Sequence, residues 1–269
     1  MSSTILFRNS YETEDEFLAL KNSQFVYREF RSFLPKNTSV IGRYSVLPFY
    51  SELYHELLLN SSELINNYLQ HLYVADINNW YHDLKDFTPK TYFDEFHLIP
   101  KGPSYVVKGH TNSRKFQWDK QMFAESSGDV TRVVSSLLDD TFIRDQGICV
   151  REYIPLVTYD IGLNNLPITN EWRFFCFKNK GMIGGYYWSN YSEHQPYPVS
   201  GLPKKAFNLL SSVIEIVSKS INFFVIDIAE TQDNEWIVIE LNDGQMSGLS
   251  CIDPNEFYAW LYHVDCIGA

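Results

Sequence analysis

One stretch near the end of the chain, 223–249, constrains the possible folds more than any other. Two apolar runs rich in β-branched and aromatic residues, Phe223–Ile228 and Trp236–Leu241, flank the polar connection 230–235. Two such runs joined by a short polar segment predict a β-hairpin. We therefore expect two neighbouring, largely buried strands at this point of the fold.

Three oxygen-bearing side chains break the apolar pattern of this hairpin: Asp227 in the first run, Glu240 in the second, and Asn242 just after it. Since side chains alternate along a strand, Glu240 and Asn242 share a face, roughly 6–7 Å apart. A connection of two or four residues would place Asp227 on the same face, whereas three residues would place it on the other. A buried carboxylate needs an ion-pair partner or a metal ion. Pairing with Arg or Lys from a neighbouring strand is one explanation, but three hard oxygen donors favour a Mg²⁺ ion that also holds phosphate oxygens.

The overall charge restricts the kinds of partner. The 269 residues carry a net charge of −11, which argues against a surface that holds nucleic acid through bulk electrostatics. The four cysteines show neither metal-type spacing nor a paired framework, which is typical of a reducing compartment. No segment has the apolar core of a signal peptide or the roughly 18 apolar residues of a membrane span. We expect a cytoplasmic protein without a membrane partner.

The order of predicted elements divides the chain into three units. Strands and helices alternate over residues 1–87, including a helix predicted over Ser61–Leu72 with Ser62 as its cap, and this alternation predicts a small α/β domain. The second unit, 88–150, contains a polar loop and a returning strand predicted over Lys115–Phe123. The third unit, 151–269, contains further strands, a long helix and the hairpin. The fold class expected is α+β.

A lysine at the end of an apolar strand is the first candidate for contact with an anionic ligand. Lys108 ends the run from Tyr105 and precedes a loop that contains Ser113, Arg114 and Lys115. Small residues let a backbone approach phosphates, and cations neutralise their charge. The loop lacks the GxxxxGK[ST] spacing of a Walker-type loop. An exposed basic hairpin tip is the alternative explanation.

Arg173, in the sequence NEWRFF, lies on a predicted strand opposite to the side chains of Trp172 and Phe174. An arginine on a half-buried strand needs an anionic partner. Glu171, two residues away on the same face, and a phosphate group are the two candidates.

Several other positions carry weaker signals. The segment 151–155 ends a strand and could present backbone groups to an adenine edge, or it could be an ordinary strand end. Arg43 could hold an acidic substrate or lie on the surface, and Tyr44 and His71 are similarly open. Neither a GxSxG elbow nor an HExxH motif is present, so a hydrolytic triad and that zinc site have no support.

Taken together and in order, these segments resemble the ATP-grasp superfamily, in particular the ATP-grasp-domain proteins of bacteria and their phages. The resemblance extends from about Val40 onwards and rests on five motifs in the right order. These are GRYS at 42–45, the VVKG and SRK groups within 106–115, REYIPL at 151–156, EWRFF at 171–175, and ELNDGQMSGL at 240–249.

The resemblance implies an N-terminal α/β domain followed by two ATP-grasp lobes that hold ATP between them. Lys108 matches a lysine that contacts the nucleotide phosphates, and Arg173 matches an arginine that stabilises phosphates or an acyl-phosphate. The implied cofactors are ATP and Mg²⁺. The remaining matches are the phosphate-covering loop (Ser113, Arg114, Lys115), the adenine hinge (Glu152, Tyr153, Ile154) and the Mg²⁺ ligands (Asp227, Glu240, Asn242).

The implied reaction is phosphorylation of a carboxylate by ATP, followed by attack of an amine or related nucleophile on the acyl-phosphate. A kinase of a small molecule or peptide, and a nucleotide-binding module without catalysis, are the alternatives. The phosphate loop is richer in basic residues than that of many relatives, which leaves open whether Arg114 or Lys115 contacts phosphate. Arg43, Tyr44 and His71 would help to select the substrate, a small molecule or a peptide, and Ser247 would line the acceptor side.

Overall fold

The computed structural model describes residues 2–10, 13–46, 49–94, 96–194 and 197–266. Within these ranges the chain forms fourteen β-strands, arranged in four sheets, and eight α-helices. The mixture of helices and sheets agrees with the expected α+β class. None of the helices in the described part of the chain has the length and hydropathy needed to span a bilayer.

The first sheet is parallel and has the strand order β2-β1-β3-β4. Its central strands consist almost entirely of buried residues, as expected for a parallel sheet that is covered by helices. The strands are β1 (Thr4–Phe7), β2 (Val26–Arg28), β3 (Ser39–Arg43) and β4 (Glu63–Leu64), and the helices of this region are α1 (Glu14–Asn22), α2 (Tyr50–Leu59), α3 (Tyr68–Ala75) and α4 (Ile77–Leu84).

The second sheet is antiparallel, with the strand order β5-β8-β6-β7. Helix α5 packs on it through Val130, Val133 and Leu137, whose spacing places them on one side of the helix. The elements are β5 (Thr91–Phe93), β6 (Tyr105–Gly109), β7 (Phe123–Ala124), α5 (Val130–Leu138), α6 (Thr141–Arg144) and β8 (Ile148–Glu152).

The third sheet, also antiparallel, contains the predicted hairpin and has the order β12-β11-β13-β14. Phe224 and Ile226 on one face pack in a core with α7, while Phe223 and Val225 on the other face pack in a core with α8. A separate two-stranded ladder precedes it. The elements are β9 (Thr158–Ile161), β10 (Pro167–Thr169), β11 (Glu171–Phe177), β12 (Met182–Tyr186), α7 (Lys204–Val217), β13 (Phe223–Glu230), β14 (Trp236–Asp243) and α8 (Pro254–Cys266).

The helix predicted over Ser61–Leu72 is wrong in its first half. Leu64 lies in β4, and helix α3 begins only after Asn67, whose side chain accepts a hydrogen bond from the backbone N–H of Gln70. The Gln70 side chain accepts from the Asn67 N–H in return, which completes a capping box. Ser62, the predicted cap, donates instead to the carbonyl of Pro35.

The strand predicted over Lys115–Phe123 is also wrong. The segment forms a 3₁₀ turn at Lys115–Gln117 and a π-helical turn at Trp118–Met122 before the short strand β7. Side chains from elsewhere take the place of a ladder: Asn164 donates to the carbonyl of Phe116, and Asn165 donates to the carboxylate of Asp119. The apolar residues of this segment therefore reflect tertiary contacts rather than strand alternation.

Candidate functional site

The face of the third sheet that carries Asp227 is set by a β-bulge. Strands β13 and β14 are joined by residues 231–235, and Glu230 lies opposite Trp236, a register that would place Asp227 opposite Ile239. A register shift between Asp227 and Ile228 skips one residue of β14, so that Asp227 lies opposite Glu240. Directly opposed residues share a face. The bulge therefore brings Asp227, Glu240 and Asn242 to the same side of the sheet.

Arg173 lies opposite Asp227 on the neighbouring strand β11. Its Nε and Nη2 atoms donate to the two carboxylate oxygens of Asp227 at 2.9 and 2.8 Å, and Asp227 is fully buried. Glu171, one of the two partners considered for this arginine, does not fill that role: it accepts from Thr169 and Trp188 instead. The bidentate pair holds the guanidinium plane fixed, with Nη1 donating to the carbonyl of Gly248 at 3.1 Å.

Lys108 reaches the same face from the second sheet. Its Nζ donates to Oε1 of Glu240, and only 7% of the lysine side chain and 17% of the glutamate side chain are exposed. Burial alone would raise the pKa of Glu240, but the nearby Lys108 and Lys115 outweigh it and lower the pKa to about 2. Both carboxylates of the hairpin are thus charged and paired with cations.

An apolar cavity of about 820 Å³ opens beside this pair, between the second and third sheets. Its wall includes the predicted hinge, Glu152, Tyr153 and Ile154, and its polar end carries Lys108, Lys115 and Glu240. The N–H groups of Glu152 and Tyr153 donate to the carbonyls of Lys90 and Ser104. Of the three hinge residues only Ile154 therefore keeps an N–H that is unpaired within the described residues. The apolar lining includes Val106, Trp118, Met122, Leu156, Leu166, Ile237 and Ile239.

A polar cavity adjoins the apolar one and shares Ser113, Lys115 and Glu240 with it. Asn242, Arg173 and Ser247 line its floor, and the loop 111–117 lines the opposite side. This arrangement joins an apolar compartment to a compartment that is rich in charged groups. The other residues of its wall are Thr111, Asn112, Arg114, Phe116, Gln117, Tyr187, Met246 and Gly248.

The two basic residues of the loop have different surroundings. Arg114 forms an ion pair with Asp140. The Nζ of Lys115 donates to the hydroxyl of Tyr187 at 2.8 Å and lies 5.2 Å from the ring centroid of Trp188. Burial opposes its charge, yet the field of Tyr187 and the carboxylates of Glu171 and Glu240 keeps the pKa of Lys115 above its ordinary value. Lys115 is therefore a fixed cation at the junction of the two cavities.

Glu171 is a site residue that sequence reasoning missed as a ligand-facing group. It lines the apolar cavity and is buried, and its Oε1 atom has no hydrogen-bond partner among the described residues. Burial raises the pKa of Glu171 to about 7, although Lys115 draws it in the opposite direction. Its position on the same strand face as Arg173 was the signal that could have identified it.

The residues expected to select the substrate divide into two groups. Arg43 and His71 are buried inside the chain: Arg43 donates to Glu16 at 2.8 Å, and His71 stacks on Tyr50 and contacts Asp243 at 3.1 Å. Their surroundings favour a role in holding the fold rather than contact with a substrate. Ser247 lines the polar cavity, and Tyr44 lies at a cavity of the first sheet.

Comparison with known protein families agrees with this arrangement. A family model described as an ATP-grasp domain, family 3 of its clade, matches residues 99–261, which is more than half of the chain. The chain belongs to this ATP-grasp family. A comparison with curated proteins gives no significant match.

Solved structures of ATP-grasp enzymes share this fold. The D-cycloserine synthetase DcsG superimposes with a TM-score of 0.62 at 12% identity, covering 97% of this chain and 99% of that one. The D-alanine–D-alanine ligase from Bacillus anthracis gives 0.60 at 14% identity, with 98% and 95% coverage. Biotin carboxylase from Campylobacter jejuni, solved as a complex with β,γ-ATP, gives 0.61 at 10% identity, with 98% and 71% coverage. At these identities the likeness shows the two-lobed ATP-grasp fold.

The donor set fits a metal ion that arrives with phosphates better than a metal bound by protein alone. Within the described residues, no group of three or more His, Cys, Asp and Glu side chains could hold a metal ion. Glu240 and Asn242 present oxygen atoms to the polar cavity, whereas both oxygens of Asp227 accept from Arg173. Mg²⁺ commonly takes one or two protein carboxylates and completes its shell with water and nucleotide phosphates. These ATP-grasp residues are compatible with that mode.

Proposed function

We propose that the protein is a Mg-ATP-dependent ligase that activates a carboxylate as an acyl-phosphate for attack by an amine or a related nucleophile. The observation that carries this proposal is the continuity of the two cavities. An apolar compartment of adenine-binding character leads directly to Lys108, Lys115, Arg173 and Glu240. Family membership supports ATP as the nucleotide.

The adenine ring would lie between the apolar side chains of the second and third sheets, beside the hinge at 152–154. The unpaired N–H of Ile154 and the polar side chains of Glu152 and Glu171 are the groups we assign to the nucleoside. Lys108 and Lys115 would hold the phosphate chain at the junction of the cavities. We favour Lys115 over Arg114 for this contact, because Arg114 is engaged by Asp140.

The reacting groups would meet over the floor of the polar cavity. A carboxylate oxygen of the substrate attacks the terminal phosphorus of ATP, the bond to the bridging oxygen breaks, and ADP leaves. The nucleophile then attacks the acyl carbon and loses a proton, while phosphate leaves with the bonding electrons. Arg173 would stabilise the charge on the transferred group, and Asp227 would hold the guanidinium in place. Mg²⁺ held by Glu240 and Asn242, with Asp227 nearby, would neutralise phosphate charge.

We assign the three expected units to this function as follows. Residues 1–87 would contribute to the substrate side, 88–150 would form the small lobe with the phosphate loop, and 151–269 would form the large lobe with the metal hairpin. Ser247 would line the acceptor side. We expect the protein to act in the cytoplasm on a small molecule or a peptide.

Calorimetric titration with a non-hydrolysable ATP analogue, in the presence and absence of Mg²⁺, tests the nucleotide site first. We expect Mg²⁺-dependent binding that weakens at least about tenfold in Glu240→Gln, because one charged ligand is lost. Glu235→Gln is the matched control, since Glu235 lies at the exposed turn of the same hairpin and contacts Lys205. Absence of binding to the wild-type protein would contradict the proposal.

The reaction type is tested by the product. With ATP, Mg²⁺, hydroxylamine and pools of carboxylic acids, an acyl-phosphate is captured as a hydroxamate, and ADP forms in equal amount. A kinase of an alcohol or amine would give ADP and a stable phosphorylated product without hydroxamate. Binding of ATP without ADP formation from any pool would favour a nucleotide-binding module.

A further inference from the structure

A separate cavity lies at the carboxyl ends of the strands of the first sheet. It is lined by residues that end or follow β1, β2 and β3, among them Arg8, Glu29, Arg31 and Tyr44. In the order β2-β1-β3-β4, the chain leaves β1 to one side for β2 and to the other for β3, so the switch point lies between β1 and β3. Ligands of open parallel sheets bind in the crevice at this point.

Polar groups without partners point to a polar ligand in this cavity. Arg8 makes no ion pair with any carboxylate among the described residues, and its guanidinium lies 4.9 Å from the ring centroid of Tyr44. The buried Nε of Arg31 and the buried hydroxyl of Tyr44 have no hydrogen-bond partner there. Buried polar atoms are normally paired. These two atoms, beside the guanidinium of Arg8, therefore call for a partner from outside the chain.

The free groups are mainly donors, which sets the charge of that partner. Arg31 already pairs with Glu56 through Nη1 at 2.9 Å, so its Nε remains as a donor on the same cavity wall as Arg8. A guanidinium and a neighbouring N–H or hydroxyl donor are well suited to a carboxylate. Glu29, the remaining carboxylate on the wall, has no partner in the described part of the chain and could accept from an ammonium group.

The cavity is close to the proposed reaction site. Tyr44 and Met246 pack against the same hydrophobic cluster, and the N–H of Val46, two residues after Tyr44, contacts the sulfur of Met246 at 3.4 Å. Met246 also lines the polar cavity. A substrate held at Arg8 is therefore separated from the polar cavity only by the contact between Val46 and Met246.

We propose that Arg8, Arg31 and Tyr44 form a subsite for a carboxylate of the substrate, distinct from the group that reacts. This inference rests on the proposed function for its position beside a reaction site. The carboxylate belongs to a free amino acid, whose ammonium group would meet Glu29, or to the C-terminus of a short peptide. Both sources share the same chemistry at Arg8.

Saturation-transfer NMR on the full chain without nucleotide tests the subsite. The probes are a pool of free α-amino acids, a pool of dipeptides, and the C-terminal amides of both pools. We expect signals from acids and not from the corresponding amides. Arg8→Gln should weaken acid binding about tenfold or more, and Tyr44→Phe by roughly three- to tenfold, since it removes one neutral hydrogen bond.

Arg8 is exposed, so its replacement is compatible with the fold. Arg144→Gln is the matched control, because Arg144 is an exposed arginine of the second sheet region that contacts only the exposed Asp145 at 3.7 Å among the described residues. Signals from amides equal to those from acids, no acid signal with wild type, or equal binding by Arg8→Gln would each overturn the subsite. Because nucleotide is absent, these results are independent of the ATP titration, which alone decides the proposed function.

Discussion

Replacement of Lys108 by Met should have opposite effects on metal binding and on nucleotide binding. In the structure, Lys108 neutralises Glu240, the carboxylate that we assign to the metal. A metal ion that arrives alone must displace this lysine and meets Lys115 and Arg173 as well. A nucleotide, in contrast, offers Lys108 new anionic partners. Lys108→Met therefore frees Glu240 for a metal ion but removes a phosphate contact.

The magnitude follows from the burial of this pair. With 7% and 17% of the two side chains exposed, solvent screens the contact far less than it screens a surface ion pair. A hydrogen bond to a charged group contributes about 1.5–3 kcal/mol, which corresponds to roughly 10- to 100-fold in affinity. We expect Mn²⁺ alone to bind Lys108→Met tighter by about that factor, and the ATP analogue to bind weaker by a similar factor.

Titration of free Mn²⁺ by electron paramagnetic resonance measures the first quantity, and calorimetry with the ATP analogue measures the second. Lys101→Met is the control, because Lys101 is an exposed lysine of the same region and should leave both affinities unchanged. Lys108 is itself buried, so circular dichroism must first show that the variant retains the fold.

A second variant makes the reasoning refutable. In Glu240→Gln the lysine no longer competes with the metal at a charged ligand, so adding Lys108→Met should not raise the affinity for Mn²⁺. If Lys108→Met lowers both affinities, or if the gain in Mn²⁺ binding persists in the double variant, Lys108 does not occupy the place of the metal. In the wild-type protein the same reasoning requires that nucleotide and metal strengthen each other's binding by one common factor.

Two predictions concern stability. Asn66→Ala should cost about 3 kcal/mol in the free energy of unfolding by denaturant, because Asn66 donates to the Phe223 carbonyl and to Asp243 in a buried site; Asn67→Ala, the loss of an exposed helix cap, should cost only about 1 kcal/mol, and equal costs would contradict the burial argument. Glu171→Gln should gain stability relative to wild type as the pH rises from 4.5 through 7, because the folded protein keeps a proton that the unfolded chain has released; the gain should not exceed about 3 kcal/mol, and a difference that is flat with pH would refute it.

The sequence pattern was sufficient to predict the hairpin and the type of residue on it. The apolar runs around Asp227 and Glu240 form β13 and β14, and the face shared by Glu240 and Asn242 follows from alternation alone. The face of Asp227 could not be predicted, because it depends on a bulge that skips Ile239. A bulge is fixed by packing across the sheet and has no local sequence signal in this strand.

Partners of charged residues were the other quantity that local reasoning could not supply. Glu171 is a candidate partner of Arg173 because the two are close in sequence, whereas the actual partner, Asp227, is 54 residues away on the adjacent strand. Lys108 and Glu240 are 132 residues apart and come from different sheets. Such pairs depend on strand order, which residue periodicity does not determine.

The loop after the metal hairpin also carries the contact with the first sheet. Arg43 donates to the Gly244 carbonyl at 2.6 Å, and the Gln245 side chain accepts from the N–H of Gly42 at 3.0 Å. Arg43 and Gly42 belong to β3, whose end leads to the carboxylate subsite.

The segment after Asn242 is thus anchored to the strand that leads to the proposed subsite. Asn242 cannot leave the polar cavity without breaking buried hydrogen bonds, and the first sheet cannot shift without moving Asn242. It follows that the substrate end and the phosphate end of the site keep a fixed separation. A variant such as Arg43→Lys, which keeps the charge but loses the forked geometry, should then weaken nucleotide binding although Arg43 lies outside both nucleotide cavities as the described residues define them.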